Sequence, residues 1–259
     1  MSGIFGTVVL SGNYKDALNK ERMTALLSKM AICSQVRGKD ATGVTVVSTA
    51  NIRTIKRGIA ANVFVKTKEY KDFLNSVNLS TTYSIFGHCR AAVKGSNKDA
   101  NNNSPMVCGN VVGVHNGSIV NDDALFVSYK TAFDRTGKVD CEIVFRLLNH
   151  LHEKLDQPFK EAIQRVAEIT NGTSVYACVS ALSPSVTCLS RGTGNPLEVK
   201  LFEESGLVLF ASSEHHLDEA AKVASMGEGE KISLTMGKAL LICAKHNEIA
   251  EVDLKQGII

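Results

Sequence analysis

No apolar run in this sequence reaches the ~18–20 residues of a membrane span, and no basic segment followed by an apolar stretch stands at its start, the pattern of a secretory signal. Charge of one sign is also lacking. Net charge is +3, and the longest basic groupings, "RTIKRG" and "VKTKEYK", are interrupted. That balance argues against a nucleic-acid or membrane-surface partner and reads as solvated faces. Among seven cysteines (Cys33, Cys89, Cys108, Cys141, Cys178, Cys188, Cys243) there is no CxxC pair and no zinc spacing. An odd number of scattered thiols, several in apolar runs such as "SVYACVSAL", reads as buried and reduced, and the expected location is cytoplasmic. Prolines number four, and neither a repeat nor a linker interrupts the chain. A phosphate-binding glycine loop is missing too.

What is present is an ordinary globular balance, 44% hydrophobic and 21% charged over 259 residues. Strand and helix periods alternate. "GIFGTVVLSG" reads as a short apolar strand with glycine at both ends. "KDALNKERMTALLSKMAICSQV" sets Leu18, Met23, Leu26, Leu27, Met30 and Ala31 at helical spacing. A hairpin is expected over "ATGVTVVSTA" and "NIRTIKRG", a helix over "FVKTKEYKDFLNSV", and strands over "YSIFGHCRAAV" and "NVVGVHNGSIV". Three helical patterns follow, then strands from Thr173 onward, broken by the helix "EHHLDEAAKVA". Strands, then helices, then strands predict one α+β domain over residues 1–259, with two sheets covered by helices on their outer faces.

Four stretches can carry chemistry, and each has a plain structural reading beside the functional one. In "VGVHNGSIVN", Asn116-Gly117 between apolar runs is a hairpin signal; the same geometry could aim the Asn116 amide and the Gly117 N–H at one oxyanion. In "FGHCRAAVKG", Arg90 is a surface arginine or a fork for a carboxylate. His88 and His115 have no third ligand at a convincing spacing and read as structural. In "GKVDCEIVFRLL", Asp140 is placed to cap a helix, with Ile143 where a capping box would have Glu; it could instead accept from a substrate ammonium. Both roles fit only if each carboxylate oxygen has its own partner. "QVRGKDATGVTVV", with Asp40, suits a sharp helix-to-strand connection.

In this order, "MSGIFG", "RGKDATG", "GHCR", "NNSP", "HNGSIVN" and "DCE" resemble the motifs of the class II glutamine amidotransferases, in the N-terminal nucleophile hydrolase superfamily. The resemblance covers nearly all of the chain. It implies a four-layer αββα sandwich, glutamine as substrate, no cofactor and no metal, and a separate synthase or acceptor-activating protein that uses the ammonia. By residue, it implies that Arg90 binds the glutamine α-carboxylate and Asp140 the α-ammonium. Asn116 and Gly117 would hold the oxyanion, and Gly3 to Gly6 would run beside the nucleophile. Two positions depart from the pattern: "AAVK" follows the arginine, and Ser104 stands where the family has histidine before proline. Both fall on the loop that covers glutamine.

Ser2 occupies the nucleophile position, where the family has cysteine. In the family the α-amine of that residue is the base, titrating near ~8. A thiol is intrinsically the better nucleophile. Ser2 is then a slower nucleophile, a replacement that binds glutamine without efficient hydrolysis, or the mark of a silent glutamine-binding or protein-interaction module. While Met1 is attached, the Ser2 nitrogen is an amide and cannot be the base.

Overall fold

The computed structural model describes residues 1–12 and 19–254; Leu18, placed above in the first helix, lies outside the described residues. The chain opens with β1 (Gly3–Val9), buried throughout. Next comes α1 (Lys20–Ser34), begun by Asn19, whose side chain accepts the Arg22 amide at 2.9 Å. β2 (Ala41–Ser48) and β3 (Ile52–Arg57) make the expected hairpin. The pattern expected as one helix over 64–77 is split into α2 (Ala61–Phe64) and α3 (Lys68–Asn75). Thr67 is the reason: its hydroxyl caps a new helix by accepting the Tyr70 amide. β4 (Thr82–Arg90), β5 (Met106–Cys108) and β6 (Val111–Ile119) lead to α4 (Asp122–Ser128), α5 (Glu142–Asn149) and α6 (Phe159–Ile169). The remainder is β7 (Gly172–Ser180), β8 (Val186–Arg191), β9 (Glu198–Phe202), β10 (Leu207–Ala211), α7 (Glu214–Val223), β11 (Glu230–Ile232), β12 (Lys238–Cys243) and β13 (Glu248–Asp253).

These strands form a seven-stranded sheet, β11-β9-β10-β1-β4-β2-β3, and a six-stranded sheet, β13-β12-β8-β7-β6-β5. Every adjacent pair is antiparallel. Alternation along the strands sorts the apolar residues. In β1, Ile4 and Val8 pack between the sheets with Phe86, Val112, Val114 and Val175. Phe5 and Val9 face the opposite way, against Leu26 and Met30 of α1 and Leu217 of α7. On the far side Tyr176 and Cys178 meet Ile143, Phe145 and Ile163 of α5 and α6. A strand covered on both faces has no reason to alternate polar and apolar, which is why β1 reads as a continuous apolar run. The result is the expected αββα sandwich.

A second expectation also fails. Asn116 and Gly117 form no turn: both lie inside β6, opposite Val175 and Ser174 of β7. The reversal into β6 is made earlier by Gly109 and Asn110, between Cys108 and Val111, with Gly109 at φ +60°. Gly117 answers a demand for space. A Cβ there would stand 2.0 Å from the Thr173 carbonyl oxygen on the neighbouring strand.

Candidate functional site

A cleft of about 280 Å³ opens at one end of the sandwich, bounded by Ser2, Arg90, Asn116 and Asp140 among others. Ser2 precedes β1 and is held at three atoms. Its nitrogen donates to Asn116 Oδ1 at 3.1 Å, its hydroxyl accepts the Ala91 amide at 3.2 Å, and its carbonyl accepts Arg37 Nε at 2.9 Å. Met1 is attached and exposed, so the Ser2 nitrogen is here an amide.

Asn116 is 2% exposed. Its oxygen is taken by Ser2, whereas its Nδ2 is buried with no protein acceptor. A buried amide NH2 without a partner carries a desolvation cost, and among the described residues no acceptor offsets it here. Gly117 is next along the strand. Past Gly113, β6 pairs with no strand on its β5 side among the described residues. Ile119 N–H uses that open edge to donate to Asp140 Oδ2 at 2.6 Å. Two residues earlier, strand alternation turns the Gly117 N–H to the same edge.

Asp140 therefore does not cap α5. The residue before α5 is Cys141, without a side-chain cap bond. Asp140 contributes only its backbone carbonyl to the helix start, accepting the Ile143 amide at 3.3 Å. Its carboxylate reaches across to β6 instead. Glu142, fully buried, fixes the approach to this turn: it accepts Thr136 N, Thr136 Oγ1 and Gly137 N at 2.7–2.9 Å and pairs with Arg146.

Arg90 closes β4 and is 5% exposed. The expected helix-to-strand connection passes over it at Gly38, where a Cβ would lie 2.3 Å from the Arg90 carbonyl carbon. Asp40 then accepts the Ala92 amide at 2.7 Å. The Arg90 guanidinium spans the cleft wall, Nη1 donating to Asn103 Oδ1 at 3.0 Å and Nη2 to the Lys94 and Gly95 carbonyls at 2.6 and 2.8 Å. The loop after β4 is thus gathered onto the arginine.

His88 and His115 also line the cleft. His88 Nε2 donates to the His115 carbonyl at 2.9 Å and ties one sheet to the other. Burial pushes His88 down from the ordinary histidine value to about 3 and His115 to about 4, with nearby Asp140 opposing the shift at His115. Both rings are neutral at pH 7. Among the described residues, no group of three His, Cys, Asp or Glu side chains could hold a metal ion, and no helix is long and apolar enough to cross a membrane.

The five residues singled out in the sequence, Ser2, Arg90, Asn116, Gly117 and Asp140, all line this cleft. Sequence reasoning missed the groups that hold them. Arg37 stood in "RGKDATG" as part of a connection, yet it anchors the Ser2 carbonyl and donates to Asn195 Oδ1 at 3.0 Å. The Ala91 amide is a backbone group with no sequence signal. Asn103 was visible only as the variable position of "NNSP".

Two antiparallel sheets between helical layers give this chain the fold of the N-terminal nucleophile type seen in solved glutamine amidotransferases. Solved structures share it. The chain matches the allosteric regulatory enzyme of purine biosynthesis over 99% of its length and 50% of that chain, with TM-score 0.71 and 16% identity. The glutamine phosphoribosylpyrophosphate amidotransferase of B. subtilis gives 0.66, 16% identity and the same coverage. A glutamine aminotransferase class-II domain protein from Silicibacter pomeroyi gives 0.59 at 13% identity, covering 97% of this chain and 99% of that one. In sequence, 220 residues are 26% identical to the glutamine–fructose-6-phosphate aminotransferase (isomerizing) of Buchnera aphidicola subsp. Acyrthosiphon pisum, 84% of this chain and 34% of that protein. The chain thus spans about a third of that relative. No family model matches the sequence.

Proposed function

We propose that residues 1–259 act as one glutaminase-type domain that hydrolyses the side-chain amide of glutamine to glutamate and ammonia, the ammonia passing to a separate acceptor-activating protein. The observation that carries this reading is Asn116, with its oxygen on the Ser2 nitrogen and its amide NH2 buried and unpartnered. With Met1 removed, the Ser2 amine takes the hydroxyl proton as Oγ attacks the glutamine Cδ. Asn116 Nδ2 and Gly117 N–H stabilise the oxyanion. The protonated amine then gives its proton to the departing ammonia. Water, deprotonated by the same amine, cleaves the γ-glutamyl ester and restores the hydroxyl. Arg90 receives the α-carboxylate and Asp140, through the carboxylate oxygen not bonded to Ile119, the α-ammonium.

The test uses protein freed of Met1, checked by intact mass, as wild type and as Ser2→Cys. The thiol variant releases glutamate faster than wild type, because it keeps the same base and oxyanion donors with a better nucleophile. Calorimetry runs alongside: Arg90→Ala abolishes detectable glutamine binding through loss of a charge-assisted contact. Tight binding without glutamate release from either protein defines the silent module instead, and absence of both removes the reading.

A further inference from the structure

Lys56 sits on β3, an edge strand, where a lysine commonly serves only to discourage pairing with another chain. Here its side chain is turned inward. Nζ donates to the Asn103 carbonyl at 2.8 Å and to the Pro105 carbonyl at 3.0 Å. The opposite residue on β2 is Gly43, and a Cβ there would lie 2.4 Å from the Ser104 carbonyl oxygen, 2.7 Å from Lys56 Cβ and 2.7 Å from Pro105 Cδ. The missing side chain thus leaves room for residues 103–105 to lie against the sheet within reach of the ammonium. Burial draws the Lys56 ammonium below the ordinary lysine value, and Asp99 and Glu142 partly oppose that.

The segment so held is the one that positions Arg90. Asn103 is buried; its Oδ1 accepts Arg90 Nη1 at 3.0 Å and its Nδ2 donates to the Asn97 carbonyl at 2.7 Å. Each atom of the carboxamide is therefore committed, and its orientation follows from where the backbone of Asn103 is pinned. We propose that Lys56 is a positioning residue for glutamine recognition: by clamping the Asn103 and Pro105 carbonyls it fixes the Asn103 carboxamide, and through it the plane of the Arg90 guanidinium. The inference rests on the glutaminase reading above. It also assigns the departure at Ser104 a local setting, since the backbone on both sides of Ser104 is fastened by a lysine from the neighbouring sheet edge.

Lys56→Met keeps most of the length of the side chain and removes the donors. In the Met1-free Ser2→Cys protein it raises the glutamine KM about tenfold or more, the scale of a lost charge-assisted hydrogen bond, with kcat changed far less. Lys56→Arg recovers part of the loss. In an Asn103→Ala background, Lys56→Met adds little further, because both act on Arg90 by one route. Additive effects of the two substitutions, or an unchanged KM in Lys56→Met, overturn the proposal. A kinetics-free readout separates it from the glutaminase reading: hydrogen exchange across residues 94–105 speeds up in Lys56→Met relative to the parent. A parent protein that neither binds nor hydrolyses glutamine removes that reading and with it the recognition role, whereas unchanged exchange in the variant overturns the clamp by itself.

Discussion

Asn116 carries two charges of responsibility on one side chain, and Asn116→Asp separates them. The oxygen beside the Ser2 nitrogen survives the change; the donor does not. Removing one oxyanion donor costs about 10²–10³ in rate. A carboxylate next to the freed α-amine also favours its protonated form, so the amine titrates higher and the rate profile of the variant moves to higher pH. Measured in Met1-free Ser2→Cys protein, both effects are expected together: a loss of glutamate release at the plateau and an upward shift of its rising limb. Full activity at an unshifted pH would leave Asn116 with a structural role only. At this scale the sequence was most informative, because Arg90, Asn116 and Asp140, distant along the chain, are side chains it names and the fold brings to one cleft. It was silent on the Ala91 amide, which any residue other than proline would supply.

At the scale of elements, β6 shows why a local signal misled. Asn-Gly between apolar runs fits a two-residue turn when only neighbours in sequence are considered. The strand continues because β7 pairs with it from Val111↔Ser180 to Ile119↔Gly172, a long-range match that no short window contains. The break between α2 and α3 and the short β5 and β13 were missed for a similar reason, being set by a cap or by a partner strand. The strand assignment adds a demand for space to the one on dihedral angles. Gly117 sits at φ +156°, which disfavours a side chain, and in β6 a Cβ would also collide with the Thr173 carbonyl at 2.0 Å. Gly117→Ala should therefore push β7 away, at a cost of about 1–3 kcal/mol for forced overpacking. Asn116→Ala keeps the backbone and gives up a bond at the edge of the cleft, about 1 kcal/mol. Urea midpoints of the two variants, compared at equal m-value, test it: Gly117→Ala as stable as the parent would remove the close approach of Thr173 to Gly117.

For the whole molecule, the two sheets depend chiefly on the apolar layer between them, and that layer is what the sequence displayed as continuous hydrophobic strands. A polar tie between the sheets is His88, and it makes the sandwich sensitive to acid. Its Nε2 must carry the proton to donate to the His115 carbonyl, and its Nδ1 is buried with no acceptor. Protonating Nδ1 in the folded state would place a cation beside His115 and Arg90, both of which, with burial, lower its pKa. The unfolded chain has no such obstacle and takes the proton near pH 6.5. Between about pH 6.5 and the folded value of about 3, the unfolded state binds more protons, so stability falls as pH falls. The His88 contribution alone amounts to about 2 kcal/mol lost by pH 5 relative to pH 8. His115, lowered to about 4, adds in the same direction. His88→Gln places an amide near the position of Nε2, keeps the cross-sheet bond and cannot titrate. Chemical denaturation at pH 8, 6.5 and 5 should show the parent losing stability over the lower interval, with a shallower loss in His88→Gln. Equal slopes in the two proteins would mean that the sheets come apart in acid for reasons unconnected with this histidine.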